Sequence, residues 1–409
     1  MEYKLVVAHF PVHGLQGHAC LPDTGCGDAG DALMTVLFED DRAAELYLVP
    51  CAGEILPGSV YIGKIEEISK STGAAFVRFT RDLTGYLPLR AGLYPGREIM
   101  VQVEKEAMKT KLPRLTENIR LQGRFYVLSS GNKEISVSRK LEEKEKKRLR
   151  ELTAGFFQDE KERPFGCIIR TEALGQPEEV LRREFLKLAS DMTDLLKKAE
   201  TRTCYSCLLK GPAIWESLYR QIDPERCRRI VTDDPDVLAD LKRCRAEYPK
   251  GCESALYQDP LLPLYKLYKF TTLCTEAISG KAFLPSGGYL IIEQTEAFVC
   301  IDVNSGRYSG RKNREEAVRL INREAAEEAA RQIRLRQLSG TILIDFISMN
   351  SDEEREELIR LMRSYIKNDH ARVSVVDITP LDIMELTREK VRKPVAGMLS
   401  TCILKGRPL

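Results

Sequence analysis

The sequence predicts an α/β protein of several parts, with a small β-barrel set into its first third. Two stretches carry that reading. Between residues 58 and 106, strand-like runs follow one another closely (SVYIGKIEEIS, AAFVRF, TGYLPL, EIMVQVEKE) with Gly or Pro between them, as in small barrels. From residue 278 onward the order is β-β-α-β-α-β-α: YLIIEQ, AFVCIDV, the long helix NREEAVRLINREAAEEAARQIRLRQL, TILIDFI, SDEEREELIRLMRSYIKN, RVSVVDI and a closing helix LDIMELTREKVR. Strands and helices alternating in this way build a layered α/β domain.

The remaining elements fall around these two. The chain opens with strands KLVV and LMTVLFE, separated by residues 8 to 32, a stretch rich in Gly, Pro, His and Asp that reads as a loop or insertion. Residues 139 to 152 (RKLEEKEKKRLREL) mix Glu and Lys at helical spacing and predict a solvated charged helix. The middle of the chain alternates strands FGCIIRT and CRRIVT with helices PEEVLRREFLKLASDMTDLLKKAE, GPAIWESLYRQI and DPDVLADLKRC.

Composition narrows the function classes. A length of 409 residues fits about two to four domains. Net charge is +2, from 63 Lys+Arg against 61 Asp+Glu, so any nucleic-acid surface must be local rather than an overall basic field. No apolar run approaches the roughly 20 residues of a spanning helix, which argues against a membrane partner. The start, MEYKLVVAHFPVHG, has too short an apolar stretch and too early a Glu2 for a signal peptide. Cytoplasmic location is therefore expected, with the 12 cysteines as scattered reduced thiols. Cys204 and Cys207 make a single CxxC, and Cys20 and Cys26 lie near His13 and His18. Neither group has a second pair at zinc-site spacing.

Asp302, in AFVCIDVNSGR, stands at the end of a buried-type strand, just before a polar break. Asp345, in TILIDFISMN, occupies the same place on another strand. Ligands of open α/β sheets collect at the carboxyl ends of strands. Two carboxylates meeting there need a proton or a cation between them. Mg²⁺ suits such a pair, since it is held by one or two carboxylates together with substrate phosphate, and Mn²⁺ suits carboxylate oxygen as well. Asn304 is placed to orient Asp302. Only His370 of the four histidines falls in this region, so metal-assisted hydrolysis is favoured over a histidine base. The plain alternative is that each aspartate is an ordinary strand-end residue.

In the barrel, Phe76 and Tyr86 lie ten positions apart among Lys64, Lys105, Lys109, Lys111 and Arg114. OB-fold barrels stack single-strand bases on aromatics in a basic groove. By pattern alone, both rings read better as plain core residues, as most strand aromatics are.

Together, VYIGKIEEISKSTGAAFVRFTRDLTGYLPL, LPSGGYLIIEQTEAFVCIDVNSGR, NREAAEEAARQIRLRQLSGTILIDFISM and ARVSVVDITPLDIMELTREKVRKP resemble the ribonuclease E/G family of bacterial endoribonucleases. The resemblance implies a ribonuclease-H-like subdomain without catalysis (1 to 57 with 213 to 277) and an embedded OB fold of the S-one type (58 to 120). It also implies a 5′-sensor region (121 to 212) and a deoxyribonuclease-I-like catalytic domain (278 to 398), followed by a short tail (399 to 409). Asp302 and Asp345 would hold Mg²⁺, with Asn304 orienting Asp302. Phe76 and Tyr86 would stack bases, Lys105 and Lys111 would contact RNA, and Arg170 and Thr171 would grip a 5′-monophosphate beside the backbone of Gly123 and Val127. The implied activity is Mg²⁺-dependent cleavage of single-stranded RNA, leaving a 5′-phosphate, in rRNA and mRNA processing and decay.

Three departures from the family pattern shape the expectations. No second cysteine follows Cys402 within three residues, so a zinc link shared by two chains is not expected, and a homodimer would form without it. Ser348 stands where an acidic residue often follows the second aspartate by three positions. The stretch 8 to 32 has no counterpart. The chain ends at Leu409, so a degradosome scaffold tail is not expected and the compact ribonuclease-G-like type is favoured. The alternative function is a non-catalytic RNA-binding factor that uses the same barrel. A nuclease for DNA fits the barrel and sensor segments less well.

Overall fold

The computed structural model describes residues 2–12, 31–50, 56–107, 111–138, 141–157, 164–222, 225–247, 252–306 and 314–405. Lys109, His13, His18, Cys20 and Cys26 lie outside them. The chain forms two units: Met1–Glu54 with Ile222–Leu409, and the intervening Ile55–Gln221.

The first unit opens with β1 (Tyr3–Pro11), β2 (Asp31–Glu39) and β3 (Arg42–Pro50). β1 and β2 pair antiparallel from Tyr3↔Glu39 to Pro11↔Asp31. Strand β1 thus takes in residues 8 to 11, and β2 takes in Asp31 and Ala32, all assigned to a loop from sequence. Leu5 to Ala8 and Phe10 are buried, and that packing carries the strand through Pro11. The β2–β3 hairpin turns at Asp40 and Asp41, both at positive φ. A two-residue turn of this kind fits the twist of its strands, and Asp tolerates the conformation.

The second unit is built on β4 (Val60–Ser69), β5 (Ala74–Arg78), β6 (Thr84–Pro88), β7 (Glu98–Lys105) and β8 (Arg114–Thr116). Their order is β4-β5-β6-β8-β7, and β7 pairs back onto β4, which closes a five-stranded barrel consistent with an OB fold. Ile65, Ala75, Val77, Phe79, Leu87, Ile99, Val101, Val103 and Leu115 fill it. A second sheet follows from β9 (Arg120–Gln122), β10 (Tyr126–Ser129), β11 (Ile135–Val137) and β12 (Gly166–Ile169), ordered β11-β12-β10-β9. Helix α1 (Glu143–Ala154) precedes β12. Helix α2 (Glu178–Thr201) buries Leu181, Phe185, Leu188, Met192 and Leu195, a helical stripe, and Phe185 meets Tyr126 at 5.5 Å between ring centroids. β13 (Cys207–Leu209) runs beside β4, and α3 (Ile214–Gln221) ends the unit.

The chain returns to the first unit with β14 (Cys227–Thr232), parallel to β1, then α4 (Pro235–Glu247) and β15 (Glu253–Leu256). Cys227 and Cys252 are joined as a disulfide, with Cα atoms 5.3 Å apart. The expectation of scattered thiols fails at this pair because parallel pairing of β14 with β15 brings residues 25 apart in sequence side by side. After α5 (Leu264–Leu267) and α6 (Phe270–Ile278) comes a six-stranded sheet. It holds β16 (Lys281–Phe283), β17 (Tyr289–Gln294), β18 (Phe298–Asn304), β19 (Gly340–Asp345), β20 (Val373–Ile378) and β21 (Ile383–Arg388), ordered β16-β17-β18-β19-β21-β20. Helix α7 (Arg314–Leu335) precedes β19, α8 (Asp352–Tyr365) follows it, and α9 (Val395–Lys405) follows β21. The helix expected over 381 to 392 is therefore the strand β21. Met384, Leu386 and Arg388 are buried in alternation while the strand is held between β19 and β20.

One face of this sheet is the core. Leu290, Ile292, Val299, Ile301, Val303, Ile342, Ile344, Met384 and Leu386 pack with Ile321, Ala325, Ala329 and Ile333 of α7. Alanines along α7 let the helix axis approach the sheet closely. A buried ionic group ties α7 to β2 and β3: Arg334 donates to Glu39 (2.8 and 2.9 Å) and Glu45 (2.8 Å), Tyr47 donates to Glu45 (2.6 Å), and His370 Nδ1 lies 2.9 Å from Glu45. Among the described residues, no helix is long and apolar enough to cross a membrane.

Candidate active site

The open face of the six-stranded sheet carries the candidate site. In β18, Val299, Ile301 and Val303 turn into the core, so period-two alternation sends Cys300, Asp302 and Asn304 to the other face. In β19, Ile342 and Ile344 do the same and leave Asp345 outward. The strands are parallel, and Asp302 pairs with Asp345 in register. Neighbouring strands lie about 4.8 Å apart, so the two carboxyl groups share one location at the carboxyl ends of adjacent strands. Asn304 Nδ2 donates to Asp302 Oδ2 at 2.7 Å. Burial, then the carboxylates of Asp302 and Asp382, raise the proton affinity of Asp345.

The backbone after each aspartate is held. Gly306, at φ +59°, lies where a Cβ would meet the carbonyl oxygen of Gly287 at 2.3 Å, so only glycine lets the β18 exit pass the turn before β17. Beyond Asp345, Asn322 of α7 grips both backbone groups of Ile347, donating to its O (2.7 Å) and accepting from its N–H (3.0 Å). Asp382 accepts from the Phe346 N–H through its carbonyl (3.2 Å) and from the Met349 N–H through its carboxylate (3.3 Å). Arg355 donates to Asp382 (2.7 Å) and to the Met349 carbonyl (3.1 Å). Sequence reading missed Asn322, Arg355 and Asp382. One signal was available: Asn322 is a buried amide inside the apolar stripe of α7, beside Ile321 and Ala325. Ser348 is exposed in the loop they hold.

Two outward carboxylates, with no described basic side chain paired to either, make a hard-oxygen donor set that suits Mg²⁺ or Mn²⁺. Among the described residues, no group of three or more His, Cys, Asp or Glu forms a closed cage. A pair open to substrate oxygens is the arrangement Mg²⁺ favours. His370 is not available to this site. Asp369 beside it is bound by Arg388, which pairs with Gly340 at the opposite end of β19 from Asp345. His9, counted in the insertion from sequence, lies in β1 and contacts Asp233.

In the barrel, Phe76 and Tyr86 are direct cross-strand partners, both half-buried and outside the nine-residue core. Tyr86 pairs with Arg114, and Arg114 with Lys105, so one row across four strands reads Phe76, Tyr86, Arg114, Lys105. Lys111 is exposed two residues before Pro113, whose carbonyl accepts from the Tyr86 N–H (2.8 Å). In the second sheet, Arg170 Nη1 donates to the Gly123 carbonyl (3.2 Å), and Arg170 Nε lies 3.3 Å from Glu172. Thr171 meets Ser138 at 3.1 Å between hydroxyl oxygens. Val127 lies between Gln122 and Ile168 on adjacent strands. A side chain at Gly123 would strike Glu184, which accepts from the Phe125 and Tyr126 N–H groups. Cys402 is buried in α9, and Cys207 is exposed in β13.

The Ribonuclease E/G family profile matches residues 120–391. A protein named Ribonuclease E from Nostoc sp. is 31% identical over 379 residues, covering 87% of this chain and 54% of that protein. Ribonuclease E from Synechocystis sp. is 32% identical over 381 residues, covering 87% and 55%. Ribonuclease G from Salmonella typhimurium is 30% identical over 381 residues, covering 87% and 77%. The chain thus spans about half the length of the two ribonuclease E relatives.

Proposed function

This chain belongs to the ribonuclease E/G family, and from that premise we propose that it is a metal-dependent endoribonuclease acting on single-stranded RNA. The observation that carries the reading is the in-register pair Asp302 and Asp345, outward at two strand ends, with Asn304 hydrogen-bonded to Asp302. Asp302 and Asp345 would hold Mg²⁺, or Mn²⁺ in its place. When bound, the cation supplies Lewis acidity and charge neutralisation at the scissile phosphoryl group. Asn304 fixes the orientation of the Asp302 carboxylate, and the grip of Asn322, Asp382 and Arg355 on residues 346 to 349 fixes the exit from Asp345. The reaction is hydrolysis: water adds to phosphorus, the bond from phosphorus to the 3′-oxygen breaks, and the downstream product keeps a 5′-phosphate.

In this reading the barrel is an OB fold of the S-one type that binds RNA. Phe76 and Tyr86 stack bases, and Lys105 and Lys111 meet phosphates. Arg170 and Thr171 grip a 5′-monophosphate, with the backbone of Gly123 and Val127 closing the pocket, because a guanidinium forks onto phosphate. The sheet of β1–β3 with β14 and β15 serves as a non-catalytic ribonuclease-H-like part. The six-stranded sheet is the deoxyribonuclease-I-like catalytic part. The process served is rRNA and mRNA processing and decay in the cytoplasm.

The test is incubation of the chain with one single-stranded sequence as 5′-monophosphorylated RNA and as DNA, each with Mg²⁺ and with chelator. Internal cleavage of RNA that stops on chelation is expected. Tight RNA binding without cleavage in every condition would instead assign a non-catalytic RNA-binding factor.

A further inference from the structure

The open face of the catalytic sheet carries more than the two aspartates. Two adjacent rows of cross-strand partners can be followed from its β16 edge. One row reads Lys281, Ile291, Asp302, Asp345 and Ile383; the next reads Phe283, Tyr289 and Asn304. Directly opposed residues point to the same side of a sheet, so Phe283 and Tyr289 share the face of the carboxylates. Phe283 is 77% exposed. Its ring lies 6.5 Å from that of Tyr289, and Lys281 Nζ stands 4.9 Å from the Tyr289 centroid. Two strand spacings, about 10 Å, separate the backbone of Phe283 from that of Asn304.

We propose that Phe283, Tyr289 and Lys281 form a nucleobase-stacking subsite for a nucleotide beside the scissile phosphate. The inference rests on the nuclease reading above and deepens it. A phenyl ring left in water at the edge of a polar site gains by covering its face with another π-system, and every base offers one regardless of sequence. Lys281 adds the charge that a phosphate requires, within reach of the same nucleotide. Continuity with the Asp302 row selects RNA as the occupant over an unrelated protein surface. This platform is separate from the barrel row of Phe76 and Tyr86, so the chain has two stacking stations with different tasks. The barrel station sets overall affinity. The Phe283 station sets the placement of the nucleotide next to the reacting phosphorus.

The test uses the full chain carrying Asp302→Asn, so that bound RNA persists. Single-stranded oligoribonucleotides each carry one 2-aminopurine, moved stepwise along the sequence, and stacking is read as fluorescence quenching. At least one position should be quenched through Phe283, and that quenching should be lost on adding Phe283→Ala and restored by Phe283→Trp. In the otherwise unchanged chain, Phe283→Ala should raise KM or lower kcat by about 5- to 150-fold, the range for one lost stacked base. Cleavage by the parent chain with a quenching scan indifferent to Phe283→Ala and Tyr289→Ala would overturn the subsite and leave the nuclease reading standing. Absence of metal-dependent cleavage by the parent chain would overturn the nuclease reading, and the subsite with it. Conversion of a dimer to a monomer by Phe283→Ala in sedimentation would give this face to a second copy of the chain and also overturn the subsite.

Discussion

Truncating Phe76 and Tyr86, singly and together, separates RNA binding from fold stability because of where the two rings sit. Both are half-buried on the outside of the barrel and absent from its core. Each alanine variant should therefore fold, whereas Leu87→Ala, at a side chain only 2% exposed, should cost about 2–5 kcal/mol of stability. Loss of one stacked base removes about 1–3 kcal/mol. Since about 1.4 kcal/mol is tenfold, Kd should rise by about 5- to 150-fold for each ring. The rings are direct cross-strand neighbours, so the double variant discriminates two arrangements. Multiplicative losses mean two bases, one per ring; a double variant no worse than the weaker single means one shared base. The assay is fluorescence anisotropy of a labelled oligoribonucleotide with the Asp302→Asn chain across a salt series. The aromatic variants should leave the slope of log K against log salt unchanged, while Lys105→Ala or Lys111→Ala should lower it by about 0.7 each, the value for one phosphate on a single strand. Kd within twofold of the parent in both aromatic variants, with stability intact, would refute the barrel as the binding surface.

Further outcomes follow from other parts of the structure. Asn304→Leu removes the 2.7 Å donor to Asp302 and should weaken apparent Mg²⁺ affinity or activity by about 10- to 100-fold, measured as cleavage rate against Mg²⁺ concentration; an unchanged titration contradicts the orienting role. Arg170→Ala should abolish any preference for 5′-monophosphorylated over 5′-hydroxyl RNA while leaving cleavage of the 5′-hydroxyl substrate unaltered, and a preference that survives removes Arg170 from the pocket. The buried group around Glu45 predicts a pH dependence of stability. Burial alone would raise the Glu45 carboxyl, but His370, Arg334 and Tyr47 outweigh it and hold that carboxyl well below the usual range. Burial likewise opposes charge on His370, and Glu45 overcomes it, raising the imidazole above its ordinary 6.5. The His370 contribution is thus fully present below about pH 6.5 and is lost as pH rises through the raised folded-state value, whereas that of Glu45 is lost only as pH falls into strong acid. Urea unfolding from pH 5.5 to 9 should show stability declining above 6.5, and the decline should vanish in His370→Asn; equal declines in both chains would contradict the assignment.

The parts of this structure legible in the sequence are those governed by local periodicity. Alternation in FVCIDVN sends Val299, Ile301 and Val303 one way and Asp302 and Asn304 the other, so the outward carboxylate could be read without coordinates. Close strand spacing announced the barrel, and the apolar stripes of α2 and α7 announced long helices. Residues 381 to 392 misled because Ile383 and Leu386 stand at helical spacing among good helix formers. Pairing of β21 with β19 on one side and β20 on the other overrode that local preference. Asn322 and Asp382 were invisible as site residues because their partners, Ile347 and Met349, lie 25 and 33 positions away. The Cys227–Cys252 pair is hidden for the same reason, its closeness being set by strand order.

Central to the proposed function is the joint action of Asp302 and Asp345 on the phosphodiester. It is tested most directly by comparing the parent chain with Asp302→Asn and Asp345→Asn on one 5′-monophosphorylated single-stranded RNA in Mg²⁺, scoring cleavage and binding in the same samples. Each substitution should abolish cleavage while RNA affinity stays within a few-fold of the parent. Turnover unchanged in either variant would contradict that joint action.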